Sequence, residues 1–177
     1  EYGRVYHVGS AREVLKMMEL EKGLMWAAHP RIKGSTGYPD RYREETFFKS
    51  DHYLGGAWKA MPADLSRARL GWRVLDLLDD TANWGANKYI LGEVDIFEVD
   101  HTTEFYAHAN VNYLRLDSNP RYGDGWAPVL KALRDGAFFI STGEVLLPRF
   151  TVGGKASGET LKINAFGKAK LEAGLTW

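Results

Sequence analysis

A histidine at the end of an apolar run is the first residue whose type and position suggest chemistry. Residues 24–28 form an uninterrupted apolar run, which is typical of a strand buried on both faces of a parallel sheet. Pro30 has no N–H to donate, so regular strand pairing is expected to stop there. His29 would then stand at the carboxyl end of a buried strand, where α/β folds bind their ligands. Two interpretations remain open: a metal ligand, or a core or turn histidine that finds a hydrogen bond.

A second group of candidates lies further along the chain. Glu93 and Asp95 are two residues apart, which places both carboxylates on the same face of a strand. This strand follows a predicted helix, so its end is expected on the same rim as His29. His101 follows shortly after, and His108 belongs to an alternating segment that suits the lining of a polar cavity. The alternatives are a solvated strand edge for the two carboxylates and an ordinary surface turn for His101.

Imidazoles and carboxylates together suit zinc, manganese or iron(II), and a hydrolase uses such ions to make hydroxide near neutral pH. The candidate metal ligands are His29, Glu93, Asp95, His101 and His108. Asp95 and His108 are also the candidate catalytic residues. Arg31 and Lys33 follow His29 in a basic, glycine-containing loop, which predicts a binding site for a negatively charged part of the substrate. A solvated loop is the alternative for both.

Two βαβ units are predicted to position these side chains. In the first, Ser10 and Glu13 have the capping-box spacing at the start of a helix. Gly23 suits the left-handed residue at the end of that helix. Residues 5–8 and 24–28 would be the two strands on either side of it.

The second unit has the same order of strand, helix and strand. Its predicted elements are a strand at 53–61, a helix at 67–84 and a strand at 88–99. An alternating strand at 105–116, a short helix at 126–134 and an apolar strand at 137–142 are expected to follow.

The character of the sequence changes after Gly143. Short segments at 146–152, 160–166 and 169–177 are separated by Gly-Gly, Ser-Gly and Gly-Lys turns, a pattern typical of β hairpins or a sandwich. We therefore predict two domains, residues 1–147 and 148–177. The second is expected to be incomplete, because the sequence ends within a predicted strand.

The composition excludes several classes of partner. Lys plus Arg equals Asp plus Glu, at 23 each, so no bulk charge attracts the protein to nucleic acid or a membrane. Aromatic residues do not alternate with basic ones as they do in single-strand RNA binders. The chain contains no cysteine, which excludes disulfides, thiolate zinc ligands and a cysteine nucleophile. No apolar run approaches the roughly 18 residues that a membrane span requires.

Several blocks of the sequence resemble one family of metallohydrolases. Ala27-Ala-His29-Pro resembles the "AHP" strand end of the PHP (polymerase and histidinol phosphatase) superfamily, where the histidine is a metal ligand. The stretch from Val129 to Gly143, with Ala-Leu-Arg-Asp-Gly-Ala-Phe-Phe-Ile-Ser-Thr-Gly at its end, looks like the C-terminal part of CehA/McbA-type metallohydrolases. In that family "ALRxGxxFxTxG" precedes a β-rich extension, and Phe150-Thr-Val-Gly-Gly-Lys is similar to the start of that extension.

The resemblance implies an α/β fold, a partial, distorted β/α barrel followed by a small β-rich, sandwich-like extension. It implies hydrolysis of phosphoester, ester or amide bonds of a small, anionic substrate at a centre of two or three divalent metal ions (Zn, Mn or Fe). His29 carries over as a ligand. The family's "GSDAH" strand end is replaced by Gly92-Glu-Val-Asp95. Its N-terminal His-x-His ligands would precede residue 1. The partners expected besides the substrate are the remaining part of the same polypeptide or further copies in a homo-oligomer.

The alternative function is a non-catalytic binding module for carbohydrate or a protein partner, built on a degenerate barrel fragment. Four aromatic residues motivate it, because aromatic faces serve such binding. They are Tyr38, Trp58, Trp84 and Trp126.

Overall fold

The computed structural model describes residues 9–31, 40–58, 75–94 and 110–177. The chain divides into two compact units, Glu1–Ile90 and Leu91–Trp177. The predicted domain boundary near residue 148 falls inside the second unit and stays a prediction.

The described elements of the first unit alternate between helix and strand. They are α1 (Ala11–Glu21), β1 (Met25–Ala27), a 3-10 turn (Asp40–Tyr42), α2 (Thr46–Lys49), β2 (Tyr53–Trp58), α3 (Leu75–Asn83) and β3 (Tyr89–Gly92), whose last two residues belong to the second unit. The three strands form one sheet in the order β1-β2-β3, and β1 runs parallel to β2. The first predicted strand, residues 5–8, lies outside the described residues.

Helix α1 begins and ends close to the predicted residues, but its caps differ in detail. The Ser10 hydroxyl accepts a hydrogen bond from the Glu13 N–H at 3.3 Å, as the capping box predicts. The Glu13 carboxylate, however, accepts from the N–H of Gly9 at 2.8 Å. The left-handed residue is Lys22, with φ 55°, and Gly23 follows it. A side chain on Gly23 would come within 3.0 Å of the Met18 sulfur, so the glycine provides space there.

Strand β2 is the buried strand of this sheet, and β1 is an outer strand among those that the structure describes. All six residues of β2 are buried, and Tyr53 joins the core cluster with Leu15, Phe47 and Phe48. The prediction that residues 24–28 are buried on both faces is wrong, because Trp26 is 44% exposed. Successive side chains of a strand point to opposite faces, and in β1 only alternate residues face the core.

The second unit is mostly antiparallel. Its elements are β4 (Val111–Leu114), a 3-10 turn (Tyr122–Asp124), α4 (Ala127–Arg134), β5 (Phe138–Ser141), β6 (Leu146–Val152), β7 (Lys155–Ala156) and β8 (Leu171–Thr176). Strand β4 pairs with β5, and a second sheet has the order β7-β6-β8. The predictions of a helix at 126–134 and a strand at 137–142 are confirmed. Residues 160–166, predicted as a strand, are not in one.

The predicted distorted β/α barrel is wrong. Within the part of the chain that the structure describes, the strands form separate sheets of three, two and three strands, and none closes on itself. A β/α barrel needs eight parallel strands in one closed sheet. In the second unit every assigned strand pair is antiparallel, which is incompatible with that arrangement.

The turn after β7 is fixed against the turn between α4 and β5. The Ser157 hydroxyl lies 2.7 Å from the carbonyl oxygen of Gly136 and 2.8 Å from that of Phe138. Gly158 has φ 82°, and a side chain there would meet the Asp135 carbonyl oxygen at 2.3 Å. Only glycine therefore fits this position, and its lack of a side chain allows the turn after β7 to lie close to the start of β5.

Candidate functional site

His29 lies two residues beyond the end of β1, in a strained backbone conformation. Its φ is 28°, in the left-handed region that non-glycine residues rarely adopt. Pro30, the next residue, is fully buried. Its ring fills the space above Gly56 of β2, where a side chain would come within 2.6 Å of the Pro30 ring. The buried proline and the neighbouring glycine thus fix the chain direction at His29.

Arg31 continues this turn with φ 60°, and two carboxylates hold its side chain. Its Nη2 donates to Asp40 and to Asp80, each at 2.6 Å, and its Nε donates to Asp40 at 3.3 Å. Burial alone would raise the pKa of Asp40, but the hydrogen bond and the charge of Arg31 outweigh burial and lower it. Burial likewise would lower the pKa of Arg31, and the two carboxylates raise it.

This cluster changes what Arg31 can do. Its guanidinium links the turn after β1 to the 3-10 turn and to α3. An anionic substrate group would have to compete with Asp40 and Asp80 for the same N–H groups, since both lie within 2.6 Å. The substrate-binding role of Arg31 stays a prediction.

Glu93 directly follows β3, in the second unit. Its carbonyl oxygen accepts a hydrogen bond from the Asn110 side chain at 2.9 Å. Asn112 binds both backbone groups of Gly92, donating to the carbonyl and accepting from the N–H, each at 2.9 Å. A side chain on Gly92 would come within 2.7 Å of the Asn110 Cβ, so glycine is required for this close approach. Asn110 and Asn112, two polar residues of the alternating segment predicted at 105–116, therefore bind backbone groups at a strand end.

The remaining candidates, Lys33, Asp95, His101 and His108, lie outside the described residues. Across 9–31, 40–58, 75–94 and 110–177, no three His, Asp or Glu side chains come together as a metal site. The donor types of the predicted set, imidazole and carboxylate, fit zinc, manganese or iron(II). The structure gives the positions of only two of its members, His29 and Glu93, one in each unit.

Sequence analysis missed the buried Lys88, which precedes β3. It is 8% exposed, and its ammonium donates to the carbonyl oxygens of Ser50 at 2.8 Å and Tyr53 at 2.7 Å. The ammonium also lies 5.8 Å from the Phe48 ring centre and 5.3 Å from that of Tyr53. Burial lowers the pKa of Lys88 to about 8, although the charge of Asp51 acts in the opposite direction.

The sequence contains little to signal this residue. Lysine is rarely buried, so one next to an apolar run is ordinarily assigned to the surface. The one hint is that Lys88 directly precedes the apolar Tyr89-Ile-Leu91, at the start of a strand that packs beside β2. Lys88 is bound to backbone carbonyls on two sides, so its position indicates a structural role in the first unit.

Comparison with known proteins adds no assignment. No family model matches the chain, and no curated protein or solved structure matches it either. No helix in the described ranges is long and apolar enough to cross a membrane.

Proposed function

We propose that this chain belongs to a metal-dependent hydrolase of phosphoester, ester or amide bonds, with His29 as one of the metal ligands. The observation that carries the proposal is the backbone of His29, with φ 28° just beyond a strand that runs parallel to its neighbour. In open parallel sheets, ligands bind outside the carboxyl ends of the strands. His29 occupies such a position.

The strain at His29 supports a functional role. A non-glycine residue in a sparsely populated region costs about 1–3 kcal/mol and persists only when its surroundings impose it. Here the buried Pro30 imposes it, together with Gly56. Arg31 is held in the left-handed region as well, so three consecutive residues have a restricted backbone. Such restriction fixes the point from which the His29 side chain projects, which favours a metal ligand.

Glu93, Asp95, His101 and His108 are the proposed partners of His29, as imidazole and carboxylate ligands. A bound zinc, manganese or iron(II) ion would polarise an oxygen atom of the substrate and lower the pKa of a water molecule. Lys33, with Arg31, would attract the anionic group of a small-molecule substrate. The sequence blocks that resemble the metallohydrolases support the same reaction class.

The direct test is metal analysis of the purified protein by mass spectrometry, with thermal unfolding before and after chelation. We expect bound zinc, manganese or iron in the native protein and its loss in His29→Ala. His52→Ala is the matched control, because the His52 ring binds the backbone oxygen of Gly23 at 2.8 Å and should not affect the metal. Free metal at a hundredfold over its Kd would stabilise the native protein by about 2.7 kcal/mol. A metal-free protein whose unfolding is the same with and without chelator contradicts the proposal.

A non-catalytic binding module is the second candidate, and exposed aromatic rings favour it. Trp126 is 74% exposed, and Tyr122, four residues earlier, is fully exposed. Trp58 is buried, and Trp84 packs against the core at 6.1 Å from the Phe48 ring, so neither offers a free face. Tyr38 lies outside the described residues. Carbohydrate or protein binding that survives replacement of every histidine but is lost in Trp126→Ala would favour this second function.

A further inference from the structure

The second unit contains an open cleft of about 640 Å³ between its two sheets. Tyr113, Phe138 and Phe139 line one side, from β4 and β5, and Leu147 and Phe150 of β6 line the other. This volume lies within the range of roughly 300–1,000 Å³ that small-molecule sites have. The cleft is therefore large enough for a ligand with one or two rings.

The wall from β4 and β5 is aromatic. Tyr113 and Phe139 are directly opposite each other in the antiparallel pair. Their ring centres are 5.0 Å apart, and the ring planes differ by 8°. Stacked rings of this kind give a rigid apolar surface, on which another ring can pack at little entropic cost.

Positive charge lies at the same cleft. The Arg115 side chain donates to the backbone oxygen of Ser157 at 3.3 Å. In the part of the chain that the structure describes, no carboxylate forms an ion pair with it. Its charge nevertheless reaches Glu159, whose pKa is lowered by the hydrogen bond from the Ala156 N–H and, to a smaller extent, by Arg115. Arg149 pairs with Glu172 at 3.3 Å and is 67% exposed. A guanidinium bound to one carbonyl keeps further N–H groups for an anion, and carboxylate-type anions suit its geometry.

The cleft is preformed, because the turn after β7 is anchored. Ser157 contacts the carbonyl oxygens of Gly136 and Phe138, and Gly158 packs against the Asp135 backbone. These contacts set the spacing between the β7 end and β5. A preformed site loses less free energy to ordering when a ligand binds.

We propose that this cleft binds a small organic anion with a flat, apolar ring system. The ring packs in the space between the Tyr113–Phe139 wall and β6, and the anionic group binds Arg115. This site lies wholly in the second unit and is independent of the metal function proposed for His29, so either can fail without the other.

Two fluorescent probes test the charge and the ring separately. 8-Anilinonaphthalene-1-sulfonate carries a sulfonate, and N-phenyl-1-naphthylamine has the same rings without it. We expect one sulfonate probe to bind per chain, and Arg115→Gln to weaken it about tenfold while the uncharged probe is unaffected. Arg134→Gln is the matched control, since Arg134 is an exposed arginine of α4 that does not line the cleft.

A second variant, Ala156→Trp, tests the location by filling the cleft, which Ala156 lines. We expect it to abolish binding of both probes. Because the sulfonate probe also binds partly folded states, near-ultraviolet circular dichroism must show native packing in each variant. If Ala156→Trp does not fold, Arg115→Gln alone decides. Equal affinity of the sulfonate probe in Arg115→Gln and Arg134→Gln overturns the proposal, as does unchanged binding in a folded Ala156→Trp.

Discussion

The two units use different chemistry to hold their turns and strand ends in place. The first uses charge: Arg31 binds two carboxylates, and the ammonium of Lys88 binds two carbonyl oxygens. The second uses neutral groups: Asn112 pairs with the backbone of Gly92, and the Ser157 hydroxyl contacts two carbonyl oxygens.

Because one unit uses charged contacts and the other neutral ones, we expect them to respond differently to substitution and to pH. A buried charge loses its hydration and depends on each partner that replaces it, so its removal is costly and its protonation depends on pH. An amide or hydroxyl bound to the backbone has no charge to titrate. The first unit should therefore respond to pH through Lys88, and the neutral contacts of the second should not.

The largest expected effect is that of Lys88→Ala in the first unit. The substitution leaves the carbonyl oxygens of Ser50 and Tyr53 without their donor and creates a cavity beside Phe48. We expect a loss of about 3 kcal/mol in the free energy of unfolding, measured by denaturant titration. Lys49→Ala is the control, because Lys49 is an exposed lysine that pairs with Glu44 on the surface, and its loss should cost at most about 0.5 kcal/mol. Equal effects of the two substitutions would show that Lys88 has no structural role.

A smaller effect is expected for Asn112→Ala in the second unit. Without the amide, the N–H and the carbonyl of Gly92 lose a partner that binds both at 2.9 Å. We expect the free energy of unfolding to fall by about 2 kcal/mol, by the same amount at pH 7 and pH 9, because no charged group is removed. A loss that depends on pH over this range would contradict the division between charged and neutral contacts.

The smallest effect is the first part of the pH dependence caused by Lys88, a rise in stability of about 1 kcal/mol between pH 8 and pH 9. Burial lowers the pKa of Lys88 to about 8 in the folded chain, whereas the ordinary value of 10.5 applies to the unfolded chain. Between these values the unfolded chain binds more protons, so stability rises as the pH increases from 8 towards 10.5. Below pH 8 both states are protonated, so this group causes no change of stability with pH. The free energy of unfolding of Lys88→Ala is subtracted from that of the native protein at each pH, which removes the contribution of tyrosines and other lysines. We expect this difference to rise with pH. Parallel stability curves for the two proteins would show that Lys88 does not titrate in this range.

Local sequence signals predicted individual elements well. The Ser10–Glu13 spacing predicted the start of α1, and the short helix predicted at 126–134 is observed as α4. The strands at 53–58 and 138–141 followed from short apolar runs bounded by turns. These signals depend on neighbouring residues, which a sequence displays directly.

Other expectations failed because they needed contacts between distant residues. The barrel was inferred from the order of helices and strands and from a resemblance, whereas the pairing of strands places them in separate small sheets. Neither the exposure of Trp26 nor the charge environment of Arg31 follows from adjacent residues. Asp80, which binds Arg31, lies 49 positions away in the sequence.

The sequence alone determined where α1, α4, β2 and β5 form, and it singled out His29, because the turn at Pro30 is encoded by proline chemistry. Only the tertiary structure decided that Lys88 is buried, that Arg31 is engaged by two carboxylates, and that asparagine amides hold the end of β3. The physical reason is that a polar side chain's environment depends on which backbone and charged groups surround it after folding. Periodicity predicts which face of an element is apolar, but it does not identify the partner that each polar group finds.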